Sequence, residues 1–278
     1  MVTRLLRIIL TVVVATTMTA GCARHGRHPP PVAAEPRTPE PRTVLLGPSV
    51  KGEPILMHLF GNGPDVTLIF CAIHGDETTA AFVGRKLLEE LRKTPLSHSG
   101  SAVALLPITN PDGVAAGTRT NANGIDCNRN FPASNWKRRP GLLRSNPGAR
   151  PASEPETLAV MKAVEVTKPA RIVSVHSGLR CNNYDGPAAD LAELMAGHNG
   201  YPVRASVGYP TPGSFGSWAG IDLGIPVVTL EMPRHNDGER AWAENRAGLL
   251  AVIGGGRAVA LGADRQTVPA LARPGGIE

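Results

Sequence analysis

Two apolar runs, far apart in the chain, each lead into a histidine, and this constrains the fold more than any other feature of the 278 residues. Val66-Thr67-Leu68-Ile69-Phe70-Cys71-Ala72-Ile73 runs into His74, and Arg171-Ile172-Val173-Ser174-Val175 runs into His176. Short apolar runs rich in Val and Ile read as strands buried on both faces, the pattern of a parallel sheet covered by helices. Polar side chains gathered at the ends of such strands belong to a site at the carboxyl edge of an open α/β sheet. His74-Gly75-Asp76-Glu77 adds a carboxylate one turn on. A histidine, a glutamate three residues later and a distant histidine supply three metal donors without a fourth. That leaves a coordination position for water, as in catalytic rather than structural zinc sites. Either histidine alone would favour the plainer reading, His74 as a helix cap and His176 as a satisfied core residue, and the residues around them reverse it.

The rest of the chain alternates in the same style. Strands are expected near 54–59, 66–73, 102–108, 171–176 and 225–231, and helices near 77–92, 154–167, 187–198, 214–222 and 238–252. This alternation predicts an α/β fold, an open and mostly parallel (mixed) sheet with helices on both faces. Only 4% of residues are aromatic, so the core must be built from Val, Leu, Ile and Ala. Ser153-Glu154-Pro155-Glu156 opens its helix with a candidate capping serine and an early proline. His58, His98, His198 and His235 fit no ligand spacing and read as surface or loop residues.

Between the two histidines, Gly117-Thr118-Arg119 and Asp126-Cys127-Asn128-Arg129-Asn130-Phe131-Pro132 form a stretch too polar to be a packed element. It reads as an ordered loop whose arginines can grip a carboxylate or a developing oxyanion. A late apolar run, Ile225-Pro226-Val227-Val228-Thr229-Leu230, ends in Glu231.

These motifs, in this order, resemble the zinc metallocarboxypeptidases. The resemblance implies a zinc-carboxypeptidase-like fold and one Zn2+ held by His74, Glu77 and His176. It further implies Glu231 as general base, Arg119 against the scissile carbonyl, and Asn128 and Arg129 on the substrate's terminal carboxylate. Asp126 would accept the other ring N–H of His74, Tyr209 would stand on a mobile loop, and Thr211, Gly216 and Thr229 would line the specificity pocket. Asp76 replaces an arginine expected of enzymes that take ordinary extended peptides. The run Gly208-Tyr209-Pro210-Thr211-Pro212-Gly213-Ser214-Phe215-Gly216-Ser217-Trp218 is similar to the murein peptide amidases, which cut the γ-D-glutamyl to diaminopimelate bond of cell-wall peptides. Arg180 and Asp185 are candidates for polar partners of that diamino acid. The rival readings are a carboxypeptidase that removes an ordinary C-terminal residue, an acylase of the same group, and a non-catalytic peptide-binding lipoprotein.

Arg4 and Arg7 before the apolar stretch Ile8–Ala15, with Thr19-Ala20-Gly21-Cys22 after it, have the form of an export signal. Cys22 resembles a bacterial lipidation site, with Thr19 where leucine is usual. The expected organisation is a signal over 1–22, a proline-rich linker over 23–43, a peptidase domain over 44–262 and a tail over 263–278. The partners it implies are a cell-wall peptide and a membrane reached through the lipid anchor. Loss of Arg4 and Arg7 takes the formal charge from +6 to +4. With no interleaved basic and aromatic residues, that mild charge gives no nucleic-acid surface. Cys71, Cys127 and Cys181 remain, an odd number, so at most one internal bridge can form, with Cys127 to Cys181 as the candidate.

Overall fold

In the computed structural model, which describes residues 41–93, 100–138, 145–234 and 237–253, the strands follow in the order β1 (Arg42–Pro48), β2 (Pro54–Gly61), β3 (Asp65–Cys71), β4 (Ser101–Leu106), β5 (Arg171–Ser177), β6 (Cys181–Asp185), β7 (Val203–Arg204) and β8 (Val227–Met232). The helices are α1 (Thr78–Lys93), α2 (Pro111–Ala116), α3 (Pro155–Thr167), α4 (Ala189–Asn199) and α5 (Gly238–Val252). The strands form one mixed sheet in the order β1-β2-β4-β3-β5-β8-β6-β7. Its centre, β4-β3-β5-β8, is parallel, while β1, β2 and β6 pair antiparallel at the flanks.

Alternation along the central strands feeds two cores. Ile69 and Cys71 of β3, Val173 and Val175 of β5, and Val228 and Leu230 of β8 face α1, α4 and α5. Leu68 and Phe70 of β3, Ile172 of β5 and Val227 of β8 face the opposite layer, where α3 packs with Phe131 and Phe215. Helix α1 buries Ala80, Val83, Gly84, Leu87 and Leu91, the spacing of one helical face, and closes with Arg92 and Lys93 where the helix dipole favours cations. The crossover through α1 carries the chain from β3 to β4 on one side, and the crossover through α3 brings it back to β5 on the other. The chain therefore leaves the parallel neighbours β3 and β5 toward opposite edges of the sheet, which opens a crevice at their carboxyl ends.

The structure differs from the sequence expectations in places. Strand β1 begins at Arg42, inside the expected end of the linker, and β1, β6, β7 and α2 are elements that the apolar periodicity does not predict. Glu154, not Ser153, is the residue before α3, and Ser153 Oγ instead donates to Glu154 Oε1 at 2.7 Å. His58 is buried, with Nδ1 3.0 Å from Thr43 Oγ1. The candidate bridge is not made, since Cys71, Cys127 and Cys181 are all free and buried. The signal over 1–22, nearly all of the linker and the tail over 263–278 lie outside the described residues. No helix among the described residues is long and apolar enough to cross a membrane.

Candidate active site

The turn that presents His74 is built by close backbone packing. The chain leaves β3 at Cys71, and Ala72 takes a left-handed φ of 54°. An alanine persists there only because its surroundings fix it. Asn110 fixes it: its N–H donates to Ala72 O at 3.1 Å and its side-chain amide to Ile73 O at 3.2 Å. The same side chain accepts from Gly113 N at 2.8 Å, capping α2. Gly75 lies so close to that helix that a Cβ would stand 1.9 Å from the Gly113 carbonyl carbon.

His74, Glu77 and His176 then turn their donor atoms on one point, all within 4.8 Å of one another. His74 Nδ1 is 2.8 Å from Glu77 Oε1, His176 Nδ1 is 3.0 Å from Glu77 Oε2, and the two Nδ1 atoms are 3.1 Å apart. Behind His74, its Nε2 lies 3.1 Å from Asp126 Oδ1. Donating that N–H to the carboxylate leaves the Nδ1 lone pair facing the cluster. Asp126 is fully buried and also accepts from Asn128 N at 3.0 Å and Arg119 Nε at 3.0 Å. Ser177 N adds a bond to Glu77 Oε2 at 3.1 Å.

Electrostatics say what such a cluster holds. Burial pulls the His74 imidazole down, but the carboxylates of Glu77 and Asp126 outweigh it and push the pKa up to about 9. Burial alone would raise Glu77 and Asp126, yet the imidazoles beside Glu77, and His74 with Arg119 beside Asp126, hold both carboxyls well below their usual range. Two imidazole nitrogens and a carboxylate facing inward on a point that favours positive charge fit a cation of the zinc type.

Glu231 stands directly beside His176 in the parallel β5–β8 register. No partner is recorded for its carboxylate among the described residues, and burial pushes its pKa up against the lowering pull of His176. His74, Glu77, His176, Glu231, Arg119, Asn128, Arg129, Tyr209, Thr211, Gly216 and Thr229 all line one cavity of about 150 Å³. Asn128 is oriented by its side-chain oxygen, which accepts from Phe215 N at 2.8 Å, so its amide group faces His176. Arg129 is braced by a 2.7 Å bond from its guanidinium to Asn128 O. The 3-10 turn Cys127–Arg129 that carries both is started by Asp126, the acid that orients His74.

A family model described as zinc carboxypeptidase matches residues 35–189. The chain belongs to the zinc carboxypeptidase family. Membership makes it a metallopeptidase and implies zinc as the metal of its donor cluster. Murein peptide amidase A of Escherichia coli (strain K12) is 36% identical over 205 residues, covering 69% of this chain and 82% of that protein. The crystal structure of murein-tripeptide amidase from Escherichia coli O157 superposes with a TM-score of 0.64 at 31% identity, covering 76% of this chain and 92% of that one. Carboxypeptidase A from Helicoverpa armigera has a TM-score of 0.65 at 17% identity, covering 76% and 67%, a likeness of fold alone.

Some cavity residues of this family member went unread in the sequence. Ser174, Asn183 and Arg234 line it beside Asp185, which the sequence did offer as a candidate. Arg180 does not line it; its guanidinium lies 5.0 Å from the centre of the Tyr201 ring. The lipidation candidate Cys22 lies outside the described residues.

Proposed function

We propose that this chain is a zinc-dependent amidase that cleaves the γ-D-glutamyl–diaminopimelate bond of cell-wall peptides. The observation that carries the reading is the Glu231 carboxylate, without a hydrogen-bond partner among the described residues, sharing one cavity with the donor cluster and with Arg119, Asn128 and Arg129. The names of the Escherichia coli relatives, murein peptide amidase A and murein-tripeptide amidase, support an amide bond of a cell-wall peptide, and the resemblance of residues 208–218 to that group supplies which bond. A non-catalytic binding protein would have no use for Glu231.

His74, Glu77 and His176 would hold the metal, which when bound lowers the pKa of a coordinated water from about 16 toward 7. Asn128 and Arg129 bind the substrate's free α-carboxylate, so that only the last link of the peptide reaches the reacting position. Glu231 takes the proton of the attacking water on a carboxylate oxygen and delivers it to the departing nitrogen. Burial favours its protonated form, which suits an acid that must give the proton back. Arg119, tethered through Nε to Asp126 and with Nη1 3.7 Å from Glu77 Oε1, is held where its guanidinium can face the oxygen of the scissile carbonyl. Tyr209, about half exposed at the rim, can fold over the bound substrate.

For the N-terminus, we read 1–22 as an export signal ending at a lipidated Cys22, with 23–43 as a spacer that puts the domain in the cell envelope. Arg4, Arg7 and the small residues before Cys22 support this.

The test is mass spectrometry of products from L-alanyl-γ-D-glutamyl-meso-diaminopimelate beside α-linked dipeptides of L-residues. Release of free diaminopimelate, faster than any release from the α-linked set, is the expected result. Faster release from ordinary peptides would overturn the amidase reading in favour of a carboxypeptidase.

A further inference from the structure

The loop that carries Arg119 and Asp126 is held from behind by Asn121, Glu154 and Glu156, none of which lines the cavity. Asn121 is buried. Its side-chain oxygen accepts from Asn123 N and Ile125 N, both at 3.1 Å, and its NH2 donates to Glu154 Oε2 at 2.8 Å and Glu156 Oε2 at 2.7 Å. An amide has two donor hydrogens and two acceptor lone pairs, so its whole capacity is used. The oxygen closes the turn 121–125, which the backbone also closes through Asn121 N to Ile125 O at 2.9 Å and Gly124 N to Asn121 O at 3.0 Å. The NH2 docks that turn on the start of α3.

The docking partners are unusual. Glu154 and Glu156 are both buried, and the other charged group acting on Glu156 is a third acid, Asp112. Burial raises the Glu156 pKa and Asp112 adds to the rise, against the pull of the Asn121 NH2. The far oxygen of Glu156 accepts from Val50 N at 3.2 Å, and Glu154 also accepts from Asn123 Nδ2 at 2.9 Å. Two buried acids sharing one NH2 cost stability that a neutral pair would not. What they provide is a single seat. Any shift of the turn leaves buried acceptors without their donor, so the turn has one position.

We infer that Asn121, seated between Glu154 and Glu156, is a positioning residue for Arg119 and Asp126. Arg119 stands two residues before Asn121, and Asp126 follows Ile125, whose N–H and carbonyl both bond to Asn121. Closing the turn sets the two side by side, with Arg119 Nε 3.0 Å from Asp126 Oδ2, and Asp126 Oδ1 then meets His74 Nε2. Displacing the turn moves the Arg119 guanidinium and loosens His74. Asn128 and Arg129 have anchors of their own, through Phe215 N on Asn128 Oδ1 and Ala152 N on Asn130 O. Turnover should therefore suffer more than substrate binding. The effect on turnover rests on the role proposed above for Arg119, and the effect on His74 does not.

The experiment compares Asn121→Asp, alone and combined with Glu156→Gln, with wild type in the cleavage of L-alanyl-γ-D-glutamyl-meso-diaminopimelate. Asn121→Asp keeps the oxygen that closes the turn and sets a second oxygen, in place of the NH2, against the two acids. Its kcat should fall by up to about 10²-fold, the effect of a misplacement of about 1 Å, with KM little changed. Its zinc affinity in chelator competition should fall by about tenfold or more. Adding Glu156→Gln reverses the polarity of the contact, since the new amide keeps its oxygen on Val50 N and gives its NH2 to the new carboxylate. The double variant should regain part of both kcat and zinc affinity, a recovery that general loosening does not produce. Thermal midpoints show which variants are folded. A folded Asn121→Asp with wild-type kcat and zinc affinity, or a double variant that regains neither, overturns the inference. If Asn121→Asp does not fold, Glu156→Met decides, because it removes the acceptor at similar volume: unchanged kcat and zinc affinity overturn the inference, and a fall in both with KM held supports it. If wild type leaves the peptide uncut while zinc affinity falls and recovers as stated, the amidase reading fails and the positioning role stands. If wild type cleaves it and every variant matches wild type, the positioning role fails and the amidase stands.

Discussion

Replacing Asp126 with asparagine removes a charge and almost no volume from a fully buried position. The native carboxylate accepts three N–H groups: His74 Nε2 at 3.1 Å and Asn128 N at 3.0 Å on Oδ1, and Arg119 Nε at 3.0 Å on Oδ2. Asparagine offers one oxygen and one NH2. With the oxygen toward His74 and Asn128, only the bond to Arg119 is lost, whereas the reverse orientation loses two bonds, so the amide should turn its NH2 to the guanidinium. A lost hydrogen bond to a charged group costs about 1.5–3 kcal/mol. Putting an NH2 against a guanidinium that the native carboxylate neutralised adds to that cost. Metal binding pays separately, because the imidazole of His74 becomes less basic and less firmly oriented. Changes of this kind lower metal affinity by about 10–100-fold, which is about 1.4–2.8 kcal/mol. Chelator competition reads the affinity, and thermal unfolding of metal-free protein reads the stability loss on its own. Zinc affinity within twofold of wild type would refute the argument that Asp126 sets the tautomer and basicity of His74.

Glu231→Gln should keep its zinc and lose at least about 10²–10⁴ in kcat; near-normal turnover with full metal content removes Glu231 from proton transfer. Gly75→Ala should destabilise the fold, because its Cβ would stand 1.9 Å from backbone of α2, and an unchanged thermal midpoint would contradict the close packing under His74. The Tyr201 hydroxyl donates to Glu244 Oε2 at 2.6 Å and is pushed up to about 12 by burial and that carboxylate. Because the folded pKa is raised, the stability it contributes is complete below the unfolded value of about 10 and is lost as pH climbs toward 12. Tyr201→Phe should flatten stability over that alkaline window, as read by denaturant titrations. Cys22→Ser should partition into the aqueous phase of a detergent separation while wild type enters the detergent phase, and aqueous partition of both would exclude the lipid anchor.

The parts of the fold legible in the sequence are those where one residue's environment follows from its neighbours in the chain. Runs such as Leu68-Ile69-Phe70-Cys71 and Ile172-Val173 must be buried whatever they pair with, so the central parallel strands and the helices between them could be read directly. Flanking β1 and β6 could not. In Cys181-Asn182-Asn183-Tyr184-Asp185 the polar residues outnumber the apolar ones, and the strand exists because β8 offers it an antiparallel edge. The bend at Ala72 was equally hidden, since the apolar run continues to Ile73 while the backbone has already left the sheet under the hold of Asn110.

The same division explains which parts of the site could be seen. His74 with Glu77, and Asp126 with Asn128 and Arg129, are local groupings in which neighbouring residues share one task, and their spacing betrays them. The cavity floor is a grouping of another kind. Ser174 is two residues from His176 and Asn183 two from Cys181, and each looks like an ordinary polar interruption of its strand, while Thr229, two from Glu231, is marked only by the resemblance. Only the register, which sets Ser174 beside Thr229 and Thr229 beside Asn183, turns them into one row leading to Asp185. Strand side chains alternate with a period of two, so a one-residue slip of β6 would carry Asn183 and Asp185 to the face of α4 and α5. The lining of the cavity floor therefore depends on the pairing of β6 with β8 as much as on the residues themselves. Tyr184 holds that pairing: it faces the opposite core opposite Val228, where a slip would put Asp185 in its place.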